Sequence, residues 1–193
     1  MESSATEMGD NVKYVIASDI HGSSTWCDRL VKGIEQESPD QVILLGDLLY
    51  HGPRNPLPDG YDPPKVAAAL NAMAEIITAV RGNCDSEVDQ MVLDFPILSD
   101  NCLLFLECRT VFATHGDIID EDRPPKLHRG DVLLAGHTHL QVCRKHEEGW
   151  IFMNPGSVSI PKGKSVNGYM TVEDDRFLWK DFSGRVCMAY TGD

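Results

Sequence analysis

The chain has 193 residues, with 17 basic against 30 acidic side chains and a formal net charge of -13. At roughly 150 residues per domain that is about one domain, and a composition 42% hydrophobic and 24% charged excludes wholesale disorder and a fibrous chain. Non-specific nucleic-acid binding rests on Lys and Arg neutralising phosphates, so the acidic balance argues against duplex nucleic acid and anionic membranes as partners. A small anion held by a metal stays within reach.

Apolar runs such as Val66 to Leu70 fall far short of the ~20 residues a membrane span needs. Met1 to Asn11 is polar and acidic, without a basic or an apolar signal region. It reads as a flexible N-terminal extension before a single domain over 12–193. The six cysteines, at 27, 84, 102, 108, 143 and 187, form no CxxC pair. They read as reduced thiols of a cytoplasmic protein.

Val12 to Ser18 is β-branched and aromatic, and predicts a buried strand that stops at Asp19-Ile20-His21-Gly22. Ser23 or Ser24 can cap a helix whose apolar face is Trp26, Leu30 and Ile34. Gln41 to Leu45 predicts a second strand, ending at Gly46-Asp47. His51 to Pro64 holds five of the eleven prolines and predicts a long ordered loop. Pro63 and Pro64 suit the first turn of a helix with a stripe of Val66, Leu70, Met73 and Ile77. Near Ile77 to Val80 a third strand leads to Arg81-Gly82-Asn83.

Beyond Asn101 the helical period fades. Leu103 to Leu106, Thr110 to Thr114, Val132 to Ala135, Gln141 to Arg144, Trp150 to Met153, Tyr169 to Val172 and Phe177 to Trp179 each predict a short strand. Alternating β and α in the first half and mostly β in the second predict an α/β fold, a two-sheet β-sandwich flanked by helices.

Five strand ends carry metal-binding side chains beside glycine. They are Asp19-x-His21-Gly22, Gly46-Asp47, Gly82-Asn83-Cys84-Asp85, His115-Gly116 and Gly136-His137-Thr138-His139. Ligands of open α/β sheets gather at the carboxyl ends of strands, so these loops should converge. A lone His at a strand end is usually a core residue; five coincident ends reverse that weighting. Asp, His and Asn suit divalent Mn, Fe, Zn or Ni, and the absence of a needed Cys ligand argues against structural zinc. Two cations bring +4, Asp19 and Asp47 return -2, and a bridging hydroxide leaves about +1. Such a site attracts a singly charged phosphodiester.

In order and content these blocks resemble the calcineurin-like metallophosphoesterase superfamily. Its signature is D-x-H, G-D, G-N-[HX]-[DE], an isolated H and G-H-x-H. His51-Gly52-Pro53-Arg54-Asn55, Arg81 to Ser86 and Asn154 to Pro161 extend the likeness to small bacterial phosphodiesterases over nearly all the chain after Lys13. The resemblance implies two divalent ions, Mn first, with Ni, Fe, Zn or Mg as alternatives. One would be held by Asp19, His21, Asp47 and His139, the other by Asp47, Asn83, His115 and His137, with Asp47 bridging. A hydroxide between them would attack phosphorus in line with the leaving group.

Many members of the superfamily place a His after the metal-binding Asn; here it is Cys84. A thiol near pKa 8.5 is a poorer acid at neutral pH than an imidazole near 6.5. The expectation is a bias toward good, aryl-type leaving groups, unless Cys84 only fills space. Arg54 can reach a phosphate oxygen through its planar fork, or pair with an acid of its loop. His51 is a candidate second-sphere or leaving-group residue, while His128 and His146 read as surface residues. Asn154 to Ser157 reads as shaping the loop behind the histidines. Gly163-Lys164-Ser165 is no phosphate loop, since position 158 is Val and a strand follows. The alternatives are a phosphomonoesterase or phosphoprotein phosphatase on the same site, and a non-catalytic binding module like the retromer subunit of this fold. A pure scaffold would not need all seven ligands. The expected partner is a small phosphodiester, with homo-oligomerisation left open.

Overall fold

The computed structural model describes residues 12–192; the extension expected over 1–11 lies outside them. Among the described residues, eleven strands form two sheets. The first is ordered β11-β10-β9-β1-β2-β3 and the second β4-β5-β6-β8-β7. In the first, β1 (Tyr14–Ala17), β2 (Gln41–Leu44) and β3 (Ile77–Ala79) run parallel. The antiparallel meander β9 (Gly168–Glu173), β10 (Arg176–Asp181) and β11 (Val186–Thr191) extends it from β1. In the second, β5 (Arg109–Thr114), β6 (Val132–Leu134) and β8 (Ile151–Pro155) are parallel, with β4 (Asn101–Leu106) and β7 (Gln141–Lys145) antiparallel at the edges.

Side-chain alternation explains the layers. In β1 and β2, Ile16 and Ile43 point between the sheets, where they meet Val111, Val132, Met153 and Trp179. Val15, Ala17, Val42 and Leu44 point the other way, onto Leu30, Ile34, Val66 and Leu70. These strands are buried on both faces, so they read as continuous apolar runs. The helices are α1 (Ser24–Glu37), capped by the Ser23 hydroxyl, and α2 (Pro63–Asn71), capped by Asp62. Both cover the first sheet. The outer face of the second sheet, with Leu133, Trp150 and Phe152, is covered by Ile119 and Leu127 of a loop.

The predicted stripe of the second helix is too long. The helix stops at Asn71, whose amide donates to the Val92 carbonyl and accepts from the Asp94 N–H. Met73 therefore lies past the helix, and a 3-10 turn (Ala74–Ile76) leads Ile77 into β3. Two elements were not anticipated. The four-residue α3 (Glu87–Gln90) is too short for a periodic signal and is held by a Ser86–Asp89 capping box. The edge strand β11 is mostly exposed and shows no buried alternation. His128 is exposed, but His146 is not a free surface residue. Its ring stacks on Trp150 with centroids 3.6 Å apart, and Nε2 lies 2.9 Å from Glu121.

Candidate metal centre

The five strand-end loops meet at one edge of the sandwich. Their backbone is unusual: Asp19, His21, Asp47, His137 and His139 all have φ between 50° and 63°. Non-glycine residues avoid this left-handed region, so the neighbouring structure must enforce it. Around Asp19 it does so densely. Oδ2 accepts from the Ser18 hydroxyl at 2.6 Å and the His137 N–H at 3.0 Å. The Asp19 carbonyl accepts from the hydroxyls of Ser157 and Ser159. The Asn154 amide donates to the Gly136 carbonyl and to Thr138, so the Asn154 segment holds the loop that carries His137 and His139. The Asp47 and Asn83 loops touch backbone to backbone. A Cβ on Gly82 would strike the Asp47 amide nitrogen, and one on Gly46 would strike Gly82.

The seven candidate ligands come together in two groups sharing one carboxylate. In the first, Asp19 Oδ1 lies 3.1 Å from His139 Nε2 and 3.4 Å from His21 Nε2, and those two nitrogens are 3.3 Å apart. In the second, His115 Nε2 is 3.2 Å from both Asn83 Oδ1 and His137 Nδ1. Asp47 Oδ2 sits between them, 3.6 Å from His21 Nε2 and 3.5 Å from His115 Nε2.

The donor set fits divalent cations. His21, His115 and His139 each direct Nδ1 at a backbone carbonyl, of Tyr50, Leu45 and Ile160, at 2.9, 2.6 and 2.8 Å. That contact fixes the proton on Nδ1 and turns the Nε2 lone pair inward, as metal-binding histidines require. Facing lone pairs about 3 Å apart repel unless a proton or a cation lies between them. Asp19 Oδ1 is buried among these atoms and has no well-aligned N–H of its own.

The electrostatics agree. Burial pushes Asp19 up, but the His139 and His21 imidazoles outweigh it and hold the carboxyl far below the usual range. Burial also opposes the charge on Asp47, and contact with His115 again brings the carboxyl down. His115 resists burial through Asp47 and Asp19 and is pushed up to about 9. His21 is raised the same way, against burial, by Asp19. His137 is lowered, by burial and then by the charge of His115. The carboxylates thus attract positive charge, as protons or as metal ions, and a metal must displace the protons.

The other predicted residues divide. Cys84 adjoins the centre: its N–H donates to Asp47 Oδ1 at 2.8 Å, and Sγ accepts from the Asn83 amide at 3.2 Å. Burial, and then the Asp47 charge, pushes its thiol up to about 12. Arg54 is exposed and makes no ion pair among the described residues, so the salt-bridge alternative finds no acid. His51 packs edge-on between Tyr50 and Tyr61, with centroids 4.8 and 5.2 Å away, and its buried Nδ1 lacks a partner. Gly163 to Ser165 form a turn that leads toward β9, not a helix.

One contributor escaped the sequence reading. Asp85, 3% exposed, accepts N–H bonds from Asp47 and Gly82 at 2.8 Å and from Leu48 at 2.9 Å. It clips the Asp47 and Asn83 loops together. Its signal was its place at the end of the Gly82-Asn83-Cys84-Asp85 block, but backbone partners leave no trace in side-chain identity.

The chain was compared with known proteins once this geometry was in hand. The Calcineurin-like phosphoesterase superfamily domain matches residues 12–176. Phosphodiesterase YfcE of Escherichia coli K12 is 48% identical over 164 residues, covering 85% of this chain and 89% of that protein. The solved structure of YfcE, described as a phosphoesterase from E. coli, superposes with a TM-score of 0.90 at 41% identity, over 94% of this chain and all of that one. A Vps29 single mutant from Entamoeba histolytica shares the fold, with a TM-score of 0.53 at 18% identity, covering 86% of this chain and 88% of that one. The chain belongs to the calcineurin-like phosphoesterase superfamily.

Proposed function

We propose that the protein is a metal-dependent phosphodiesterase whose two divalent cations are held by Asp19, His21, Asp47 and His139 on one side and by Asp47, Asn83, His115 and His137 on the other. The observation that carries this reading is the ring of inward-turned imidazole nitrogens shared across Asp47 Oδ2. The 48% identity to a phosphodiesterase supports the reaction class. A binding module needs no such donor set, and Vps29 shares only the fold.

Two bound cations supply a water activated for attack on phosphorus and charge that offsets the phosphate. The protein's own part is to fix seven donors on five loops, keep the His21, His115 and His139 imidazoles in the required tautomer, and present Cys84 beside the reacting phosphate. With two divalent cations and a hydroxide, Asp19 and Asp47 would leave the centre at about +1, which would match a diester monoanion better than a monoester dianion. A thiol in place of an imidazole supplies little acid catalysis, so we infer a preference for aryl leaving groups. Arg54 is proposed to meet a phosphate oxygen from its exposed loop. Mn is the first candidate metal; the ligand types also accept Ni, Fe, Zn and Mg. Among the described residues no helix is long and apolar enough to cross a membrane, and the proposed substrate is a small phosphodiester.

The test is to strip the protein with chelator, restore Mn, Ni, Zn or Mg singly, and compare an aryl phosphodiester with the matching monoester. Metal-dependent turnover favouring the diester is expected. Two bound ions per chain with no turnover would favour the binding-module reading.

A further inference from the structure

A cleft of about 700 Å³ opens directly beside the metal centre. Cys84 belongs to both: its Sγ lies within 4.8 Å of ligand atoms of His21 and Asp47, and it also lines the cleft. Tyr50, whose carbonyl orients His21, lines it as well. A phosphate held at the centre therefore has one side facing this space.

The walls are apolar. Tyr50 and Tyr61 form one side, braced by the His51 ring packed edge-on between them. Ala68 of α2 and Val88 and Val92 of the α3 segment line it further. Val88 is 69% exposed and Val92 52%, so both offer apolar surface to an occupant of the cleft. Two polar side chains of the lining are already engaged. The Asn71 amide bonds the main chain at 92 and 94, and Ser86 bonds Asp89. No Lys, Arg or His lines the cleft, and Asp89 contributes a negative charge. Nothing there can neutralise a second anion.

We propose that this cleft is the subsite for one arm of the diester: it takes an uncharged, planar apolar substituent esterified to the phosphate and disfavours arms bearing another anion. This deepens the phosphodiesterase reading and rests on it. His51 then acts as a positioning residue for the two tyrosines rather than as a group that touches the leaving oxygen.

The probes are dimethyl phosphate and diphenyl phosphate, monoanions that differ only in their arms. They are tested as competitive inhibitors of bis(4-nitrophenyl) phosphate hydrolysis by the metal-loaded full chain. Burial of one phenyl ring is expected to lower Ki for diphenyl phosphate about tenfold or more below that for dimethyl phosphate. Ala68→Trp, at an exposed helical position that points the new ring into the cleft, should shrink that ratio to within about twofold. Val88→Ser, also exposed, should shrink it in the same direction and guards against misfolding of the bulkier variant. A wild-type ratio near one, or a preference that survives both variants, overturns the proposal. Absence of any hydrolysis with every metal sinks the phosphodiesterase reading instead. The arm subsite is then decided by calorimetric binding of the same two probes to the metal-loaded chain.

Discussion

Replacing Asp85 by Ala probes how the centre is held without touching a proposed ligand. The carboxylate is buried and receives three backbone N–H groups, from Asp47, Leu48 and Gly82. Removing it leaves three buried donors unpaired, each costing about 1–3 kcal/mol. Burial itself pushes the Asp85 carboxyl up, so losing the buried charge returns part of this. The balance is a loss of about 3–4 kcal/mol, or on the order of 10 °C in melting temperature for a chain of this length. The loops bearing Asp47 and Asn83 lose their clip at the same time, so metal affinity should fall about 10–100-fold. Asp85→Asn should do less harm. Its oxygen can still face Asp47 and Gly82, while its NH2 meets the Leu48 N–H. Calorimetric melts of the chelated protein and titration with Mn read the two effects separately. If the Ala variant melts within about 1 kcal/mol of the parent and binds metal equally well, the clip is not what holds these loops.

Three further substitutions test separate links. Cys84→His should raise turnover of an alkyl-leaving diester relative to an aryl one by about tenfold or more, as general acid catalysis is restored; an unchanged ratio in steady-state assays rejects the missing-acid account. Gly82→Ala should force the Asp47 and Gly82 backbones apart, lowering the melting temperature and weakening metal binding together, and a variant with normal metal uptake would show that the loops yield easily. Glu37 is opposed by burial, but Lys180 and Lys13 outweigh it and hold its carboxyl below the usual range. A depressed carboxyl stabilises the fold above its unfolded value, and that contribution disappears as pH falls through the folded value. Glu37→Gln should therefore cost about 1–2 kcal/mol in neutral denaturant melts and almost nothing in acid below the carboxylate range; a pH-independent cost would point to packing alone.

The centre was legible because its chemistry restricts residue types and the fold fixes where they stand. Asp, His and Asn beside glycine at five strand ends, in a set order, leave few readings. The parallel strands were legible for a related reason: Val42, Ile43 and Leu44 are buried on both faces, so hydrophobicity alone marks them. What hid was whatever lacks a side-chain code. Asp85 works on backbone N–H groups 37 and 38 positions earlier in the chain. The strand β11 pairs with β10 through main-chain bonds and leaves most side chains in water. The cleft beside Cys84 is assembled from the loop after Asp47, the proline-led start and one side of the helix α2, and the Ser86–Val92 segment, to which the sequence reading gave no element. Only tertiary contact shows that they face one another.

The strained backbone ties these observations together. Five of the seven proposed ligands are non-glycine residues at left-handed φ. At about 1 kcal/mol each that strain is of the same order as the net stability of a domain. It survives because each turn is overdetermined: Asp19 by Ser18, His137, Ser157 and Ser159, Asp47 by Cys84 and Asp85, and the His137–His139 loop by Asn154. An extended chain would keep residues two apart on one face, but with their Cα atoms about 6.5–7 Å apart and their side chains parallel. The left-handed turns instead re-aim Asp19 and His21, and His137 and His139, toward common points. The polar web behind the ligands is therefore what converts two ordinary sheets into a site able to gather cations, and its serines and Asn154 belong to the centre as much as the donors do.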